Sequence, residues 1–135
     1  MSLSRFSLVF AATAFFIYGV AFLFFPIFAT SFVGLDLSIP SAIIDVRATY
    51  GGSVLGTSVI FGLFSTRDEW LRFGLIAEIS VLSGFIFGRV IGLIVDKEPN
   101  IFIYILLVGE IVGLLLAVAA LRIDDKSQIT TETVT

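Results

Sequence analysis

Four long apolar runs alternate with polar stretches along the chain, at about 6–25, 41–64, 71–95 and 101–121. Each is roughly twenty residues or longer, which at 1.5 Å rise per residue crosses a hydrocarbon layer of about 30 Å. Ser2, Ser4 and Arg5 precede the first run, Pro26 is placed to end it, and Ser41 after Pro40 is an N-cap candidate for the second. The links at 65–70 and 96–100 are short and polar, so the last three helices should be antiparallel neighbours. The expected fold is an all-α integral membrane protein, a four-transmembrane-helix antiparallel bundle over residues 1–121. The stretch 27–40 is longer and mixed; Ile27, Phe28, Phe32, Val33 and Leu35 suit either a short interfacial helix or a loop tucked over the bundle end. Residues 122–135 are polar and read as a flexible cytoplasmic tail. The first run leads into three more without a small-residue cleavage site, so it reads as a mature helix and not as a signal peptide.

Composition sharpens this picture. Of 135 residues, 58% are hydrophobic and 14% charged, against about 45–50% and about 25% in soluble proteins. A small water-soluble domain has too much surface for its volume to hide so many apolar side chains. The chain has no Cys and no His, which removes disulfides, zinc-finger spacing, His-ligated metal or haem and imidazole acid–base catalysis. No cofactor is expected. Eight basic against eleven acidic residues, with no basic block, argue against a nucleic-acid partner. The fifteen Phe are most simply lipid-facing bulk, and Trp70 at a polar turn reads as an interface anchor.

Helices in lipid associate through close contact and polar links, because no hydrophobic force draws them together. Gly84, Gly88 and Gly92 stand four residues apart on the third helix; Gly52 and Gly56 repeat the spacing on the second, and Gly109 and Gly113 on the fourth. These read as helix-packing faces, within the chain or between subunits. The charged residues inside the apolar runs carry the chemistry, because an ionised group facing lipid is costly and turns inward to find a partner. Glu78 and Arg89 share a face of the third helix but stand 89 − 78 = 11 residues apart, about 16 Å along the axis. Arg89 and Glu110 lie about 9 Å and about 13 Å below the same boundary, within an Arg side chain's reach, so they are expected to pair. Arg47 and Tyr50 at the start of the second helix should overlook the same half. Glu78 enters from the other side, with Arg72, a serine or a polar group on a neighbouring helix as its expected partner and Ser58 as a candidate.

The early proline followed by F-V-G-L-D, the R-A-T-Y-G-G opening of the second helix, Glu78 with G-R-V-I-G in the third and Glu110 in the fourth occupy characteristic places. Together they resemble an uncharacterised family of small bacterial four-helix inner-membrane proteins, a domain of unknown function, over nearly the whole chain. The resemblance implies that Arg47, Tyr50, Gly51, Glu78, Arg89 and Glu110 are characteristic positions, and it implies no activity. The residues themselves support a small membrane protein with a binding or accessory role, with Arg47, Tyr50, Glu78, Arg89 and Glu110 as ligand-binding candidates. Its expected partners are membrane lipids, anionic ones held by Arg47 and Arg89 included, and a second copy or a larger membrane complex. A transporter or channel component using Glu78 and Glu110 is the alternative. A lipid-modifying enzyme is a weaker one, since the chain carries no nucleophile–base constellation or metal-ligand cluster.

Lys and Arg near the span ends favour both termini in the cytoplasm of a bacterial inner membrane. Arg5, Arg67, Arg72, Arg122 and Lys126 collect on one side, against Lys97 and Arg47 on the other. Single cysteines replacing Ser2, Ser38 and Thr131, treated with an impermeant thiol reagent in intact cells, should label at Ser38 alone. Labelling at Ser2 and Thr131 but not at Ser38 would overturn the orientation.

Overall fold

A computed structural model describes residues 1–96 and 99–132, with residues 125–132 described by their backbone alone. Lys97 and the side chain of Lys126, both counted above for orientation, lie outside the described residues, as does the tail at 133–135. The described chain is helical and holds no strand. Helix α1 (Leu3–Phe24) leads to a short helix α2 (Pro26–Val33). Helix α3 (Pro40–Val46) continues through a π-helical turn (Arg47–Gly52) into α4 (Ser53–Ser65) without a break. Two long helices follow, α5 (Asp68–Val95) and α6 (Ile101–Glu132). Three of these, α1, α5 and the Ile101–Asp124 part of α6, are long and apolar enough to cross a membrane.

The sequence explains each boundary. Ser2 caps α1, its hydroxyl accepting the Arg5 N–H at 3.3 Å. Pro26 cannot continue α1, but its fixed φ suits the first position of the next helix, and α2 starts there. Of the two readings of the stretch after the first run, the helix is the one that forms. It ends at Gly34, whose φ of 76° closes a C-terminal motif in which the Leu35 N–H reaches the Thr30 carbonyl at 3.1 Å. The apolar run expected as one helix over 41–64 is instead three consecutive helical pieces. The widened turn falls where Thr49 donates to the Asp45 carbonyl and Ser53 to the Thr49 carbonyl. Hydroxyl groups that bond back four residues disturb the helical ladder, and a π turn is one way the backbone absorbs it. Helix α6 runs on past Leu121, where the apolar stretch ends, to Glu132.

Helix α1 packs along the composite rod 40–65, and α5 packs along α6. The closest approach is at glycine. A Cβ on Gly19 would stand 2.7 Å from Leu55 Cγ, and one on Gly51 would stand 2.9 Å from the Leu23 backbone. Gly74 is equally tight, with Phe64 Cβ at 2.7 Å and Leu8 Cδ1 at 2.8 Å. The spaced glycines expected to pack helices behave differently. Within this chain a Cβ on Gly56, Gly84, Gly88 or Gly109 would meet nothing within 4 Å, Gly52 and Gly92 meet only atoms of their own helix, and Gly113 touches Leu82. Four-residue spacing aligns glycines on one face but does not say whether a neighbour lies against it.

Polar contacts fasten both ends. At one, Arg5 donates from Nε to the Ser65 carbonyl at 2.9 Å and pairs with Asp68 at 2.8 Å, while Ser4 donates to Asp124 at 2.6 Å. These tie the start of α1 to the end of α4, the start of α5 and the far part of α6 beside a core of Leu8, Phe61, Leu71, Leu75, Ala117 and Ala120. Beyond it, Arg67 lies 4.7 Å over the Trp70 ring. At the other end Asn100 donates to the Phe32 carbonyl at 2.5 Å, accepts the Phe102 N–H at 2.6 Å, and the Phe32 and Phe102 rings stand 5.5 Å apart.

Outward faces remain apolar: only 11% of the apolar window of α5, and 11% of that of α6, is buried. Water would not tolerate that much contiguous apolar surface. Replacing Gly74 with Val should lower the melting temperature of the detergent-solubilised protein by the equivalent of about 1–3 kcal/mol, the usual range for overpacking. Gly88→Leu should change it little, and a Gly88→Leu melting point as low as that of Gly74→Val would contradict the open space found at Gly88.

Candidate functional site

Between the α1–rod pair and the α5–α6 pair lies a cleft of about 590 Å³, within the usual size range of small-molecule sites. Helix α1 lines it with Phe10, Ala11, Ala14, Phe15 and Tyr18, and the π turn and start of α4 with Thr49, Tyr50, Ser53 and Val54. Helix α5 contributes Glu78, Leu82, Gly84, Phe85, Gly88 and Arg89; α6 contributes Ile105, Leu106, Gly109, Glu110 and Gly113. Four of the five ligand-binding candidates, Tyr50, Glu78, Arg89 and Glu110, therefore meet at one cavity. So do the spaced glycines Gly84, Gly88, Gly109 and Gly113, whose short side chains leave room where a larger residue would fill the cleft.

Arg89 and Glu110 form the expected pair. Arg89 Nε donates at 2.9 Å to each carboxylate oxygen of Glu110, with side-chain exposures of 21% and 12%. One N–H is thus shared between two acceptors, and the two terminal amino groups of the guanidinium have no hydrogen-bond partner among the described residues. Tyr18 lines the same cleft as Arg89, Glu110 and Tyr50. Its ring stacks on Phe22 at 4.3 Å, and Phe22 in turn lies 5.7 Å from Tyr50. Neither tyrosine hydroxyl has a hydrogen-bond partner among the described residues. This end of the cleft therefore holds unused donors from three side chains.

Glu78 closes the opposite end. It is fully buried, and its partner is Ser7, whose hydroxyl lies 3.0 Å from both carboxyl oxygens. Neither Arg72 nor Ser58 fills that role: Ser58 donates to the Ala12 carbonyl at 2.8 Å instead. Ser7 belongs to the first helix and is 71 residues from Glu78 in sequence, so only the packing of α1 on α5 reveals the contact. Tyr18 and Phe15, missed as site residues, carry one weak signal, an aromatic in the half of the first span opposite the charged end.

Arg47 is the candidate that departs. It does not line the cleft; its guanidinium donates to the Leu23 carbonyl in the last turn of α1. That carbonyl has lost its helical partner because the chain breaks at Pro26, and a cation at a helix C-terminus is favourable. An anion site built from Arg47 and Arg89 is thus not assembled. Among the described residues no cluster of acidic side chains could hold a metal ion.

The chain matches the family described as a domain of unknown function, DUF4345, over residues 3–121, and it belongs to that family. No curated protein and no solved structure matches it.

Removing one charge of the Arg89–Glu110 pair should hurt more than removing both, because the partner is left uncompensated in an apolar setting. Glu110→Gln is expected to destabilise the protein by about 3 kcal/mol, and Arg89→Leu combined with Glu110→Leu to recover part of the loss. Melting curves in detergent decide it: a double variant no more stable than the worse single one would refute the pair.

Proposed function

We propose that this DUF4345 chain is a multi-pass membrane protein that binds a lipid-class molecule in its interhelical cleft and serves as a binding or accessory component. The observation that carries the reading is the cleft itself, apolar along most of its lining with its unpaired donors gathered at one end, between helices whose outward faces suit lipid. That is the make-up of a site for an amphipathic small molecule. The composite rod 40–65 has 65 − 40 + 1 = 26 residues and a length of about 39 Å. It supplies a fourth span, with the π turn inside the membrane and α2 along the interface. The polar contacts of Arg5, Ser4, Asp68 and Asp124 then gather at one face, in keeping with both termini on the cytoplasmic side of a bacterial inner membrane.

The transport reading is weaker. Glu78 and Glu110 line the same cleft, but Leu82, Gly84 and Phe85 lie between them on the α5 wall, so no chain of polar side chains links the two carboxyls along it. The enzymatic reading is weaker still. Ser7 and Glu78 form the hydroxyl–carboxyl contact nearest the cleft, yet Ser7 is fully buried and does not line it.

Filling the cleft tests the reading. Gly88→Leu combined with Gly109→Leu should leave the melting curve nearly unchanged while reducing lipid retained on the protein, seen by native mass spectrometry after release from lipid nanodiscs, by about tenfold. Retention equal to that of the parent would remove the cleft as a binding site.

A further inference from the structure

The polar end of the cleft specifies what kind of head group it takes, and the inference rests on the cleft being a binding site. Arg89 is neutralised by Glu110 at 2.9 Å, so the end carries no net charge from this pair. The other nearby cation, Arg47, does not line the cleft and donates to the Leu23 carbonyl. Glu78 adds a carboxyl at the opposite end. An anionic head would therefore meet no uncompensated cation among the residues that line the cleft and would leave its own charge unpaired in an apolar setting. Yet the terminal amino groups of Arg89 and the hydroxyls of Tyr18 and Tyr50 are donors without acceptors among the described residues. Donors left idle away from water cost free energy until an acceptor reaches them. The complement of a donor-rich, charge-balanced end is an uncharged group rich in acceptors.

Shape adds a second condition. The α1 and π-turn wall presents the rings of Tyr18 and Tyr50, and the α5–α6 wall presents Gly88 and Gly109, where a Cβ would meet open space. Aromatic side chains on one wall and bare backbone on the other leave clearance suited to a flat group, which gains from contact with aromatic rings.

We propose that the cleft binds a flat, uncharged, carbonyl-bearing lipid of the quinone chemical class, its carbonyl oxygen accepting from Arg89, Tyr18 and Tyr50 and its chain lying along the apolar remainder of the cleft. The full chain in nanodiscs of uncharged lipid, titrated with three probes and read by native mass spectrometry, tests this. Decyl-benzoquinone is flat, neutral and bears two acceptors; decylbenzene is flat without an acceptor; laurate is an anion. Decyl-benzoquinone should bind at least about tenfold tighter than either of the others, the worth of one well-made hydrogen bond. Tyr50→Phe should weaken decyl-benzoquinone several-fold and leave decylbenzene unchanged. Glu110→Gln, by exposing the Arg89 charge, should raise laurate binding relative to decyl-benzoquinone. Tighter laurate in the parent protein would overturn the neutral-head assignment while leaving the cleft a lipid site. Equal binding of decylbenzene and decyl-benzoquinone would show that the donors are not used and would overturn it too. Binding of none of the three would overturn both this inference and the cleft as a binding site.

Discussion

The contact of α1 with the composite rod at Gly19 and Gly51 is the constraint from which most of the architecture follows. No Cβ fits at either position, because Leu55 and the Leu23 backbone already occupy the space. Helices in lipid are held by such contacts and not by exclusion of water. Gly51 lies inside the π turn, so the widened backbone and the closest helix approach coincide. The same approach carries Arg47 to the orphaned carbonyl of Leu23 and leaves Tyr50, one residue before the contact, on the cleft. A single glycine thus sets where α1 sits, which cation is withdrawn from the site and which aromatic is offered to it.

Polar groups in the apolar interior are treated in two ways. Most are satisfied locally: Thr30, Thr49, Ser53, Thr57 and Ser80 bond back to carbonyls of their own helix, and Ser7 and Ser58 cross to a neighbour. No buried side-chain polar atom among the described residues is left without a partner. Arg89, Tyr18 and Tyr50 keep donors without a partner among the described residues, and all three line the cleft.

Three of the four expected long apolar helices and the Arg89–Glu110 pair were legible because both follow from local or nearly local rules. Hydrophobic length reports a crossing, and a return through a short polar link sets two charges at similar depth. The partner of Glu78 was not legible, because Ser7 lies on another helix and no spacing rule joins positions 71 residues apart. The π turn left a readable trace in Thr49 and Ser53, each four residues from the carbonyl it uses, within a run ending in two glycines. The glycines show the limit most clearly. Repeated spacing drew attention to Gly84, Gly88 and Gly92, while the tight contacts fall at Gly19, Gly51 and Gly74, none of which belongs to a four-residue repeat. Close approach needs only one missing Cβ in the right place; periodicity is not required for it.

An open cleft beside tightly packed glycines is physically consistent once lipid is the solvent. In water, about 590 Å³ between apolar walls would favour collapse, because burying those walls would be rewarded at about 25 cal/mol per Å². In hydrocarbon that reward vanishes, since lipid chains wet the same walls as well as protein does. The two helix pairs need to be fastened only at their ends, and they are: Arg5, Ser4 and the Leu8 core hold one end, Asn100 and Phe32 the other. Glycine on the walls then acts as clearance, leaving open a gap that a side chain would have filled. The same residue type serves contact at Gly51 and vacancy at Gly88, and what distinguishes them is which helix the end fastenings bring opposite.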